Sequence, residues 1–254
     1  MEFNAIYVIV AREFKKFIRE RSRLFSAIVR PLLWLFIVGA GISRLVPRDT
    51  GVSYSQFIFP GILGMTILFS SIFSSISIIW DKEFGFMKEI LVAPVSRLSI
   101  VIGKALSGTI VSTIQAAIIL ALFPVIGFKL SLLQIISVII ICTSVSFCIS
   151  AFGIVLATFY ESYESFSVIM NFIIMPMFFL SGAMYPVRLL PDILRIVAKL
   201  NPLTYGIDAM KHAIFPHETG HMGPDFSIMT SATVIILTSI VFVLIAGKAF
   251  ERKG

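Results

Sequence analysis

The residues with the strongest catalytic pattern are His217-Glu218-Thr219-Gly220-His221, which spell H-E-x-x-H. In zinc hydrolases that spacing works on a helix, which sets both histidines on one side of the metal with the glutamate beside the bound water. This segment resists a helix. Pro216 precedes it, Gly220 lies inside it, and Gly223-Pro224 follow. The remaining histidine is His212, and acidic third ligands are sparse, so the match reads as accidental. An adventitious surface metal site is the lesser alternative, and a membrane metalloprotease is a distant third. Ser181-Gly182 has the look of a buried nucleophile, but such a serine needs a base, usually a histidine on a neighbouring apolar helix. No long apolar run contains one. Cys142 and Cys148 sit six positions apart within one apolar run, facing different directions on a helix, so neither a disulfide nor a metal site is expected. No G-x-x-x-x-G-K-[ST] loop occurs, so the chain lacks a P-loop nucleotide site. No catalytic residue, metal or cofactor is assigned to it, and active transport would need energy from a partner.

The elements around these residues belong to a membrane. Hydrophobic residues make up 57% and charged ones only 14%, against roughly a quarter charged in soluble domains. Mean hydropathy is +0.98, and the apolar residues gather into runs of span length. The pattern predicts an all-α membrane protein, a single transmembrane domain over residues 1–254 with about six spans. The predicted spans are about 24–43, 57–80, 99–123, 134–158, 166–185 and 228–247. No cleavable signal peptide is expected, because the first apolar stretch is short and runs into a basic cluster. The net charge of +7 concentrates near the start and points to an anionic membrane surface rather than nucleic acid.

Residues 6–23 read as an amphipathic helix lying on the membrane. Ile6, Val10, Phe14 and Phe17 share one face, and Arg12, Lys15, Lys16 and Arg19 the other. An ordinary helix packed on protein is the alternative, and both readings can hold for different parts of it. Arg30-Pro31 interrupts the first span, predicting a bend there with the arginine snorkelling to the inner interface. A substrate role for Arg30 is the lesser reading. In the second span Ser70, Ser71, Ser74, Ser75 and Ser77 predict close helix packing, with a polar translocation surface as the sharper alternative.

Basic residues set the expected orientation. With the N-terminus inside, the inner segments carry Arg12, Lys15, Lys16, Arg19, Arg21, Arg23, Lys82, Lys88, Arg97, Lys248, Arg252 and Lys253. The outer ones carry Arg44, Arg48, Lys129, Arg188, Arg195, Lys199 and Lys211. Twelve against seven places both termini in the cytoplasm of a cell-membrane protein. Two connections are unusual. The inner segment 81–97 is charged and helix-prone, stopped by Pro94, with Phe84, Met87 and Leu91 predicted on one stripe and Lys82 and Glu89 turned away. As a bare loop its charges form a solvated face; as a docking element it carries force from a cytosolic partner. The outer segment 186–225 is too long and apolar for a simple turn. Leu189, Leu190, Ile193, Ile196 and Val197 predict one short helix dipping back towards the membrane, and Ile207, Met210 and Ile214 a second after Pro202. No internal repeat of the kind found in secondary transporters is visible.

With these stretches in view, the chain resembles the permease subunit of type-2 ABC exporters, the family of drug-resistance, nodulation-factor and polysaccharide export permeases. The run from Glu83 through Gly85, Glu89 and Pro94 to Arg97 resembles the coupling segment of that family. A second match to the family runs from Pro176 through Phe178, Phe179, Leu180, Ser181 and Gly182 to Pro186, followed by Asn201-Pro202-Leu203-Thr204-Tyr205. The resemblance spans essentially the whole chain. Lys211 stands where such permeases often carry arginine, and the 217–221 stretch is unusual for them. The resemblance implies a homodimer of permeases with two separate cytosolic ATPase subunits, which bind the ATP and magnesium. It further implies coupling through Glu83, Gly85, Lys88, Glu89 and Pro94, an outer re-entrant gate, and amphipathic substrates: drugs, lipids or lipid-linked glycans. Asn171, Met175, Phe178, Phe179 and Ser181 are the candidate pathway residues. A six-span channel or secondary transporter remains the alternative, although Arg30 and Lys104 are the clear ionisable residues within the spans.

Overall fold

The computed structural model describes residues 2–20, 25, 29–39, 41, 53–92, 94–127, 129–215 and 223–252. Among them every regular element is helical. In chain order these are α1 (Phe3–Arg19), α2 (Val29–Gly39), α3 (Tyr54–Glu83), α4 (Phe86–Val92), α5 (Arg97–Leu120), α6 (Leu132–Phe159), α7 (Tyr163–Phe179), α8 (Asp192–Leu200), α9 (Pro202–Ile214) and α10 (Ile228–Arg252). Four of them, α3, α5, α6 and α10, are long and apolar enough to cross a membrane. The motif at His217, Glu218 and His221 lies outside the described residues, as do parts of the first expected span.

Local signals start α3, α5 and α6 two or three residues before the expected spans. Ser53 and Gln56 form a reciprocal capping box on α3, and Ser131 and Gln134 do the same on α6. Ser96 caps α5 by accepting from Ser99 N–H. The 30-residue α3 is the central post. It packs against α5, α6 and α9, while α10 shows much of its apolar surface outward. The serines of α3 serve close packing. Ser71 donates to Ser112 of α5 at 3.1 Å, and a Cβ on Gly153 of α6 would lie 2.4 Å from Ser75 Oγ.

Three expectations need correction. The fifth span, expected at 166–185, ends at Phe179. A π-helical turn at Met170–Ile174 leads into a last α turn that starts just before Pro176. Ser181 then donates its hydroxyl back to Phe178 O, and Gly182 takes φ +75°, a conformation that stops the helix. Seventeen residues reach only about 25 Å, less than a hydrocarbon core of about 30 Å. Phe84 does not join the buried stripe of the charged segment. It sits in the turn after α3 and is exposed, whereas Met87 of α4 is buried. Arg30, expected to snorkel, lays its guanidinium instead against Phe69 and Phe73 near the middle of α3.

The N-terminal helix packs along α5, with Ile6 and Phe17 buried and Ile9 against Gly103. Phe3, Tyr7, Val8 and Ile18 remain exposed, so the helix carries apolar side chains on a protein-facing and an outward-facing side. The two helices expected in the outer connection are present as α8 and α9, with Ile207, Met210 and Ile214 fully buried.

Candidate functional site

Lys104 lies two turns into α5, in an otherwise apolar stretch, and is 6% exposed. Burying an ammonium is costly unless carboxylates and hydrogen bonds surround it. Its Nζ donates to Asp81 Oδ2 at 2.6 Å, Glu13 Oε1 at 2.7 Å and Ser77 Oγ at 3.1 Å. The second Asp81 oxygen accepts from Arg12 at 3.1 Å. Two cations and two anions therefore tie α1, α3 and α5 together with no net charge. The next residue, Lys82, turns away and donates to the carbonyls of Ala157, Thr158 and Tyr160, which caps the C-terminus of α6. Lys16 of α1 lies 4.3 Å over the ring of Trp80.

This assembly holds the base of α4. Gly85, at φ +79°, makes the turn out of α3, a conformation that a side chain would strain. Glu83, Gly85, Glu89 and Pro94 are exposed, together with Phe84, Phe86 and Val92; Lys88 lies in the same helix. The result is an acidic and aromatic surface on a short helix whose root is anchored in three others. Such a surface can receive a partner and pass its displacement into the bundle.

At the opposite end, α9 is buried along most of its length between α3, α6 and α10. Gly64 allows this approach: a Cβ there would meet Ile207 at 2.6 Å. Asn201 caps α9 by accepting from Leu203 N–H and donates to Met177 O at 2.6 Å, so the stretches that begin at Pro176 and at Asn201 meet in space. Asp208 accepts from Asp225 N–H at 2.6 Å, Phe226 N–H at 3.2 Å and Ser231 Oγ at 2.9 Å. Burial raises its carboxyl pKa, while those hydrogen bonds and His212 pull it down. Asp225 in turn accepts from Val187 and Arg188 N–H. Lys211 donates to Gly182 O at 3.0 Å over the face of Phe57, and burial lowers its pKa to about 8.

Of the pathway candidates, Asn171, Met175 and Phe179 are exposed on α7, while Phe178 and Ser181 are buried. Phe178 packs edge-on against Trp34 of α2. Asp81, Glu13 and Lys104 were not among the candidates. The isolated charge of Lys104 in an apolar run was the available signal, yet nothing in the sequence pairs it with residues 23 and 91 positions away.

Comparison with known proteins identifies the family. The ABC-2 type transporter model matches residues 4–215. The putative transport permease ycf38 of Cyanophora paradoxa is 31% identical over 97% of this chain and 88% of its own length. Nodulation protein J of Rhizobium leguminosarum bv. trifolii is 28% identical over 77% of this chain and 75% of its own length. The inner membrane transport permease YadH of Escherichia coli (strain K12) is 26% identical over 98% of this chain and 95% of its own length. With four apolar helices of spanning length and a family match over most of its residues, the chain belongs to the ABC-2 type transporter family and is a multi-pass membrane transport permease.

Proposed function

We propose that this chain is the transmembrane permease subunit of an ATP-driven exporter that moves an amphipathic drug, lipid or lipid-linked glycan outward. Separate cytosolic ATPase subunits bind ATP and magnesium and dock on α4 through Glu83, Gly85, Lys88, Glu89 and Pro94. The observation that carries this reading is the exposed α4 surface rooted in the Lys104 cluster, which links it to α1, α3 and α5. In this reading α2 and α7 complete six spans, both termini and α4 face the cytoplasm, and α8 and α9 form a re-entrant outer gate. Two copies of the chain assemble as a homodimer, because one copy supplies half a pathway. Asn171, Met175 and Phe179 line it, with Phe178 and Ser181 supporting them from behind.

The Glu83→Lys, Glu89→Lys double variant tests the docking surface. Breaking charged interface pairs from one side costs roughly 2–5 kcal/mol, which weakens docking at least tens of fold at about 1.4 kcal/mol per factor of ten. Both residues are exposed, so insertion and folding should be normal. The expected result is a normally inserted permease that no longer retains its ATPase on purification. Unchanged co-purification and transport would remove α4 as the coupling element.

A further inference from the structure

One cation in the apolar region is faced by rings rather than carboxylates. Arg30 of α2 places its Cζ 5.0 Å from the centroid of Phe69 and 6.0 Å from that of Phe73, both on α3. Phe69 stands fifteen residues from the start of α3 at Tyr54 and fourteen from its end at Glu83. At 1.5 Å per residue that is about 22 Å from either end. The guanidinium is therefore held near the middle of the longest apolar helix, within a hydrocarbon core about 30 Å thick. Among the described residues no carboxylate pairs with it. An arginine at this depth marks a substrate path or a water-filled cavity.

The surroundings give the site a shape. One turn along α2, Trp34 meets Phe178 and Phe179 of α7 edge-on, at 6.0 and 6.3 Å. Arg30 is exposed in the single chain, and Phe179 is 38% exposed. The rings orient the guanidinium plane, and they bring no carboxylate to it among the described residues. Its N–H fork suits two oxygens of one oxyanion. The neighbouring aromatic surface at Trp34 and Phe179 suits a hydrocarbon tail.

We propose that Arg30 binds the anionic headgroup of a phosphate-type amphiphile whose tail lies along Trp34 and Phe179. This rests on the export reading and specifies its substrate class. The sequence contains two tryptophans, Trp34 and Trp80, so Trp80→Phe leaves Trp34 as a reporter one turn from Arg30. The full-length protein is placed in nanodiscs of neutral phosphatidylcholine and titrated with bromine-labelled hexadecyl phosphate. Bromine-labelled hexadecyl maltoside serves as the neutral control. Saturable quenching should occur at a concentration at least about tenfold lower for the phosphate than for the maltoside, the worth of a charge-assisted hydrogen bond. Arg30→Gln should abolish that preference, and Arg30→Lys should keep part of it. Unchanged maltoside quenching in Arg30→Gln would show that the aromatic wall is intact. Excess inorganic phosphate should not displace the probe, since it has no tail. Equal quenching by both probes, an unaltered preference in Arg30→Gln, or full displacement by inorganic phosphate would overturn the proposal. The titration needs no ATPase, so its outcome is separate from the co-purification that tests the export reading.

Discussion

At the α4 end of the bundle Lys104 joins three helices through side chains alone, pairing with Asp81 and Glu13. At the α9 end the buried acids turn to the backbone. Asp208 receives the N–H groups of Asp225 and Phe226, and Asp225 those of Val187 and Arg188. The difference is mechanical. Charge pairs between helices join stiff bodies, here α1, α3 and α5. Backbone-directed bonds instead fix irregular chain in place, where no ladder would satisfy those N–H groups. One end is built to link helices and the other to hold connections closed over a buried helix.

The sharpest way to break this comparison is Lys104→Met. It leaves Asp81 and Glu13 facing each other without their shared cation, and removing one partner of a buried ion pair costs about 3–5 kcal/mol. The melting temperature in detergent should fall steeply, and spin labels on α1 and α5 should report α1 moving away. Adding Glu13→Gln should recover part of the loss, because neighbouring groups do not behave additively. An unaltered α1–α5 distance would mean that the other contacts of α1, Arg12 with Asp81 and Lys16 over Trp80 among them, hold it without Lys104.

A smaller effect is expected from Asp208→Asn. The amide oxygen takes the place of Oδ1 and the NH2 that of Oδ2 beside the Ser231 hydroxyl, so the Asp225 and Phe226 N–H groups keep an acceptor but lose the charge on it, at about 1–3 kcal/mol. Hydrogen exchange should accelerate at the Asp225 and Phe226 amides while α1 keeps its protection. Loosening at both ends together would deny that they are separate devices.

A third change is one of pH, at Lys211. Burial holds its folded pKa at about 8, below the ordinary 10.5, so between these values the unfolded chain binds more protons than the folded one. Stability from this group is then full above pH 10.5 and lost as pH falls towards 8. The parent should gain a few degrees in melting temperature on Lys211→Met as pH rises through that window. Below pH 8 the difference should be flat. A constant difference across the whole range would mean that the Lys211 ammonium is not desolvated as its burial implies.

Much of this was legible along the chain. The apolar runs place the starts of α3, α5 and α6 to within three residues, with spans expected from 57, 99 and 134 and helices that begin at Tyr54, Arg97 and Leu132. The apolar positions after Pro202 give α9. The end of the fifth span was not legible, because Leu180, Ala183 and Met184 continue the apolar run past it. Only the left-handed Gly182 and the Ser181 bond to Phe178 O mark the stop. Phe84 was misplaced for a related reason: helical spacing was carried through a turn that Gly85 makes.

The sequence by itself determined the helical membrane class, the positions of the long spans, the absence of a P-loop, and the family. These follow from composition, from runs of apolar residues and from short contiguous motifs, all properties of neighbouring residues. Tertiary structure alone decided that Lys104 pairs with Glu13 and Asp81, that Asp208 holds the segment before α10, and that Arg30 meets Phe69 and Phe73. Periodicity tells which face of a helix is polar or apolar, but not which other helix that face meets. That choice depends on how glycines such as Gly64 and Gly153 let particular helices approach. It depends also on the requirement that every charge drawn out of water find its partner.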